Sequence, residues 1–300
     1  MDPEKGAIGG LPTSLRAELE PQHADLLLFA CCLISGLVDS TIYRGTDKLN
    51  SRLSTAAYLT YVAYNTFVSM QTGNTIFVGL GTSHQNLRRY GWARSLTSIG
   101  CFTLGSFLFA QLHRVLGTRR RGSLMLSFLL QASIILLTAG LVQGGVISST
   151  LVSKGSQKTP PWDQIVPIVL LSLQSAGQIV ASRALGFNEI PTVVITSLLC
   201  DLMSDPQLFL VRNVKRDRRI IAFVLTLVGA IIGGWVTKVT EAISPILWLC
   251  AGIKGLLALA WAFGELSRRH RREFLRSVLR LSKADLAQPS GMLVLYYSTD

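Results

Sequence analysis

The run Phe67-Val68-Ser69-Met70-Gln71-Thr72-Gly73-Asn74-Thr75-Ile76-Phe77-Val78 sets two amides and a hydroxyl around one glycine, in a stretch otherwise fit for lipid. An unpaired amide or hydroxyl in hydrocarbon costs on the order of several kcal/mol, so Gln71, Thr72 and Asn74 must line a cavity or meet partners in the protein. Gly73 lets the backbone open between them. Such a kernel could coordinate a polar solute, and helix-to-helix hydrogen bonding is the alternative use of the same groups. A weaker echo, residues 191–202, carries Thr196 and Asp201. Two more charges stand inside apolar tracts, Asp39 and Lys254. Charges within spans usually face a cavity or a partner, because a central position costs about 3 kcal/mol. Asp39 either serves a site or caps the segment that follows it. Lys254 lies too deep to snorkel, so it calls for a solute or a carboxylate, with Asp39 and Asp201 as candidates. A break near Gly252 and Gly255 would instead bring it to water.

The elements that must position these residues are membrane helices. Only 15% of the 300 residues are charged against 49% hydrophobic, whereas soluble domains carry about a quarter charged. Residues 95–113, 122–153, 164–182 and 220–237 contain no Asp, Glu, Lys or Arg. Each is near the roughly 20 residues that a helix needs to cross hydrocarbon. The pattern predicts an all-α polytopic helical bundle with six full crossings, at about residues 24–43, 92–113, 123–143, 165–185, 220–239 and 242–264. It adds two short broken or re-entrant segments, within 58–81 and 191–203, the second with only 11 uncharged residues from Ile190 to Cys200. Eight crossings are the alternative.

The halves also align, with Ser35-Gly36-Leu37-Val38 on Ala176-Gly177-Gln178-Ile179. Gly36 precedes Thr72 by 36 positions and Gly177 precedes Thr196 by 19, so an insertion of 17 residues within 44–60 restores register. This predicts two internal repeats, 25–143 and 165–264, and paired broken segments are what transporter repeats present. Six crossings would make the repeats an inverted pair, eight a parallel one.

The net charge of +12 lies between the apolar tracts, as in Arg119-Arg120-Arg121 and residues 212–219 and 268–272. Basic loops of that kind orient helices rather than bind nucleic acid. Of the Lys and Arg residues, 19 fall on the side of the termini and 9 on the other. Both termini are therefore expected in the cytosol, residues 1–24 as a disordered tail and 266–300 as a basic tail. Within the latter, residues 266–286 could form an amphipathic helix on an anionic leaflet. The partner that composition implies is the lipid bilayer, and self-association is left open.

Enzyme signatures are absent: no phosphate loop, no Gly-x-Ser-x-Gly elbow and no His-Glu-x-x-His occurs. Four scattered histidines argue against a metal centre, and nothing points to a cofactor. Five cysteines in apolar tracts read as small hydrophobes. Gly140-x-x-x-Gly144 and Gly229-x-x-x-Gly233 predict close helix contacts.

Gly36-Leu37-Val38-Asp39 followed by Met70-x-Thr72-Gly73-Asn74 resembles the YoaK-like membrane family, a domain of unknown function. The resemblance spans about residues 25–265. The run from Gln174 to Arg183, with Gly186-Phe187-Asn188-Glu189-Ile190-Pro191, is similar to the eukaryotic branch of that family and adds Gln174 and Gln178 to the candidate pore residues. Many members have Thr-Gly in the second half, where this chain has Thr196-Ser197. The resemblance implies no substrate. From the residues, transport or channelling of a small polar solute through a site between the repeats is the expectation. An intramembrane lipid-modifying enzyme and a non-transporting scaffold are the alternatives.

Overall fold

The computed structural model describes residues 24–43, 64, 66–85, 90–147, 162–240 and 242–263. Residues 44–60, where an insertion is expected, both tails and the start of the first kernel tract at 58–63 lie outside the described residues. Among the described residues all regular structure is helical: α1 (Ala24–Tyr43), α2 (Gln71–Thr82), α3 (Gly91–Leu116), α4 (Arg121–Gln143), a 3-10 turn (Trp162–Gln164), α5 (Ile165–Leu185), α6 (Ile195–Met203), α7 (Val214–Thr240) and α8 (Ser244–Phe263). Six of them are long and apolar enough to cross a membrane, and α2 and α6 are the exceptions. With 12 and 9 residues those two reach only about 18 and 14 Å at 1.5 Å per residue, against roughly 30 Å of hydrocarbon. The protein is a polytopic helical membrane bundle.

Two helix pairs organise it, and glycines set their spacing. A Cβ on Gly36 of α1 would lie 2.0 Å from the Thr226 carbonyl oxygen of α7. One on Gly229 would lie 2.2 Å from the Leu33 carbonyl oxygen, and one on Gly233 would lie 2.7 Å from that of Leu37. Backbone therefore meets backbone between α1 and α7, as small residues allow in membrane bundles. Contacts advance together along both helices, so α1 and α7 run parallel. The second pair is α3 with α5, where Gly105 faces Leu173 and Ala176 and Gly177 faces the Phe109 ring. It too is parallel. A Cβ on Gly140, by contrast, meets no described residue within 4 Å, so among the described residues the predicted glycine contact that joins helices is the one at Gly229 and Gly233.

Gln178 of α5 donates to the Cys31 carbonyl of α1, while Gln174 and Ser175 lie beside Val38 and Asp39. The two pairs are thus antiparallel to each other. α4 returns after the short turn behind α3, and α8 after the one behind α7. The first half runs up, down, up and the second down, up, down. Arg218 at the start of α7 reaches Asp25 at the start of α1 at 3.3 Å, and Arg219 reaches Asp205 at 3.1 Å. The Gln207 N–H, the Asn213 amide and Arg219 hold the Asp205 carboxyl below its ordinary range.

Candidate functional site

Residues 66–70 enter the bundle without helical structure before α2 begins. Nonhelical backbone at membrane depth must be satisfied by protein, and five side chains do so here. Asn74 accepts from the Phe67 N–H at 3.0 Å and the Thr66 hydroxyl at 2.9 Å, and donates to the Phe67 carbonyl at 2.7 Å. Ser98 of α3 also donates to the Phe67 carbonyl, at 2.7 Å. Asp39 accepts from the Val68 N–H at 3.1 Å and the Ser69 N–H at 3.2 Å through Oδ1, and from the Ser69 hydroxyl through Oδ2. Gln71 and Ser175 donate to the Val68 carbonyl at 3.1 and 2.8 Å. The Gln-Thr-Gly-Asn kernel therefore closes around the break that precedes it. Asn74 is fully buried, Gln71 is half-buried and Thr72 is exposed. Gly73 lies against the Phe67 ring, which a Cβ would meet at 2.8 Å, and Phe67 stacks on Tyr43 with centroids 4.3 Å apart.

Asp39 stands between two voids. The smaller, about 10 Å³, is lined by Ser35, Asp39, Ser69, Gln174, Ser175 and Gln178 among others. That is close to the space one water occupies. The larger, about 270 Å³, lies between α1, the 67–70 segment, the start of α6 and α7. Asp39 borders it, and so do Met70 and Ile195, where the two short helices begin. α2 starts beside Ser98 and returns to the end where α3 starts. α6 returns to the opposite end, where α7 starts. Two half-helices thus enter from opposite sides and turn their N-terminal ends to one cavity.

Lys254 is fully buried in α8 and its span is unbroken at Gly252 and Gly255. Its ammonium does not meet Asp39 or Asp201. It donates to the side-chain Oε1 of Gln131 in α4 and to that of Gln174 in α5, the latter at 3.0 Å, with the Phe128 ring 5.9 Å away. Two amide oxygens supply acceptors without adding a second buried charge. Asp201 is exposed on α6. Gln174 connects Lys254 with Asp39, since it accepts from the first and borders the small void beside the second.

The second break is held differently. Ser182 donates to the carbonyls of Phe187 and Ile190 at 3.1 and 2.6 Å, and Gln178 reaches that of Thr192 at 3.4 Å. Thr196 is exposed and Leu198 buried. Arg183 bonds Asn188 at 2.7 Å on the exposed side. The described residues contain no cluster of three His, Cys, Asp or Glu able to hold a metal. Sequence reasoning missed Ser69, Ser98, Ser175 and Gln131. Lone serines in apolar helices carry no pattern, whereas Gln131, an amide deep in a charge-free tract, was a readable signal.

No curated protein and no solved structure matches this chain. The family model described as "Protein of unknown function (DUF1275)" matches residues 55–260, which takes in both half-helices, α3 to α7 and most of α8 and leaves α1 with Asp39 outside. The chain belongs to that family.

Proposed function

We propose that this protein moves a small polar solute across its membrane through the cavity between its two halves, with Asp39 as the polar group that meets the solute. One observation carries the reading. The 270 Å³ cavity is walled by both halves at the level where both half-helices begin, the arrangement that transporters built from inverted repeats use for their sites. Gln71, Thr72 and Asn74 line neither void, and in this reading Gln71 and Asn74 act by fixing the 67–70 segment that borders the cavity.

The halves act as an inverted pair of repeats. Each has a long helix, a half-helix and two long helices, and each first helix packs on the third element of the other half. Gly36 and Gly177, matched by the alignment, both carry such a contact. The two termini then share the cytosolic side, where the basic loops lie.

Single cysteines at Ser40 and at Thr226, in a protein freed of its five native cysteines, test this without a known substrate. A membrane-impermeant maleimide should reach each position from either side of sealed vesicles, because alternating access opens one site to both faces. Labelling from one side only rejects transport and favours chemistry near one leaflet. Labelling from neither favours a scaffold.

A further inference from the structure

The cavity discriminates by chemistry as well as by place. Its walls are largely apolar, formed by Phe67, Val193, Ile195, Phe223 and Leu227 together with Tyr43. Among the described residues that line it, the polar groups are four hydroxyls, from Ser35, Ser40, Tyr43 and Thr226, and one carboxylate, Asp39. Among the described residues no Lys, Arg or His lines it.

Asp39 is 7% exposed, and its hydrogen bonds come from two backbone N–H groups and one hydroxyl, all neutral. Among the described residues no ion pair includes it. Oδ2 takes a single hydroxyl, which leaves an acceptor direction on a carboxylate oxygen. A buried carboxylate without a counter-cation favours a positively charged partner. The fully buried Lys254 has its hydrogen bonds with Gln131 and Gln174 instead.

The two half-helix N-termini at the cavity favour negative charge. The Asp39 carboxylate already lies against the chain that leads into α2, so an anion drawn there would face it. Volume sets the size of the occupant. An apolar cavity of about 150 Å³ accepts benzene, so about 270 Å³ accommodates one ring with a short chain.

We propose that the cavity binds a small amphipathic amine in its protonated form, the ammonium on Asp39 and the hydrocarbon body against Phe67, Phe223 and Leu227. This rests on the transport reading only for what happens after binding. The ligand is recognised by its cationic head and apolar body together.

The full-length protein in nanodiscs, titrated calorimetrically with phenethylamine, 2-phenylethanol and phenylacetate, tests the proposal with three probes of one size and three charges. The amine should bind at least tenfold more tightly than the alcohol or the acid. Asp39→Asn keeps an oxygen for the Val68 and Ser69 N–H groups, so it should abolish the preference for the amine and leave alcohol binding unchanged. Ala230→Leu fills the cavity without touching the Asp39 bonds and should remove binding of both. If Asp39→Asn does not fold, the three-probe ranking on the parent and the Ala230→Leu variant still decide. Equal affinity for all three probes, tighter binding of phenylacetate, or no amine binding that Ala230→Leu removes would each overturn the proposal. Two-sided maleimide access at Ser40 without amine binding leaves transport standing and rejects this ligand class. Amine binding with one-sided access does the reverse.

Discussion

The breaks before α2 and before α6 hold the same place in the two halves but are stabilised by different means. At the first, the chain at 66–70 draws on Asp39 of α1, Ser98 of α3, Ser175 of α5 and its own Gln71 and Asn74. At the second, Ser182 and Gln178, both of α5, donate to the freed carbonyls, and the residue aligned with Asn74 is the buried Leu198. Hydrogen bonds tie the first break to three long helices and the second to α5, with α7 adding an ion pair of Lys215 to Glu189 at 3.9 Å and the Arg218 guanidinium over the Phe187 ring. A segment tied to several helices is hard to move alone, so the second break is the mobile partner if the cavity opens alternately to the two sides.

Substitutions can break that comparison, and the largest effect is expected at its frame. Gly36→Ala drives a Cβ into a backbone carbonyl at 2.0 Å, and separating α1 from α7 should cost more than about 3 kcal/mol. Purified protein should show a collapsed melting temperature or no folded fraction. The aligned Gly177→Ala meets the Phe109 ring at 2.7 Å, a side chain that can shift, and should cost about 1 kcal/mol. Equal losses at the two sites would end the claim that they differ.

Next comes the kernel. Asn74→Leu strands the Phe67 N–H and weakens the hold on its carbonyl, for about 2–4 kcal/mol in thermal unfolding. Thr66 can still bond Ser95, 3.2 Å away. Ser182→Ala at the second break should cost about 1 kcal/mol. If it matches Asn74→Leu, the asymmetry is not energetic. Lys254→Met leaves no carboxylate behind, only two amides short of a donor, while it removes a buried charge. A net change within about 1 kcal/mol is expected. The smallest effects belong to Thr72→Val and Thr196→Val, both exposed, within about 0.5 kcal/mol.

The helices were legible because charge spacing encodes them. The expected spans at 24–43 and 165–185 coincide with α1 and α5. α7 starts six residues before the expected 220 because its first turns carry the basic cluster beyond the apolar run. The short length of the second break was readable from Asp201 and Pro206. The destinations of the polar groups were not. The partners of Asn74 include Ser98, 24 residues on, and those of Lys254 lie 80 and 123 residues back. Nothing local announces such pairs. Lys254 needs no carboxylate opposite it, because an amide oxygen accepts from an ammonium as well.

The pairing of α1 with α7 has a consequence for how the protein is made. Gly36 and Thr226 are about 190 positions apart, and synthesis proceeds at roughly 5–20 residues per second. The first helix therefore enters the membrane on the order of tens of seconds before the helix that covers its glycine face exists. During that interval its exposed small-residue stripe and the Asp39 carboxylate need temporary company in the bilayer, from the insertion machinery or from another nascent helix. The chain's most intimate contact is among the last it makes.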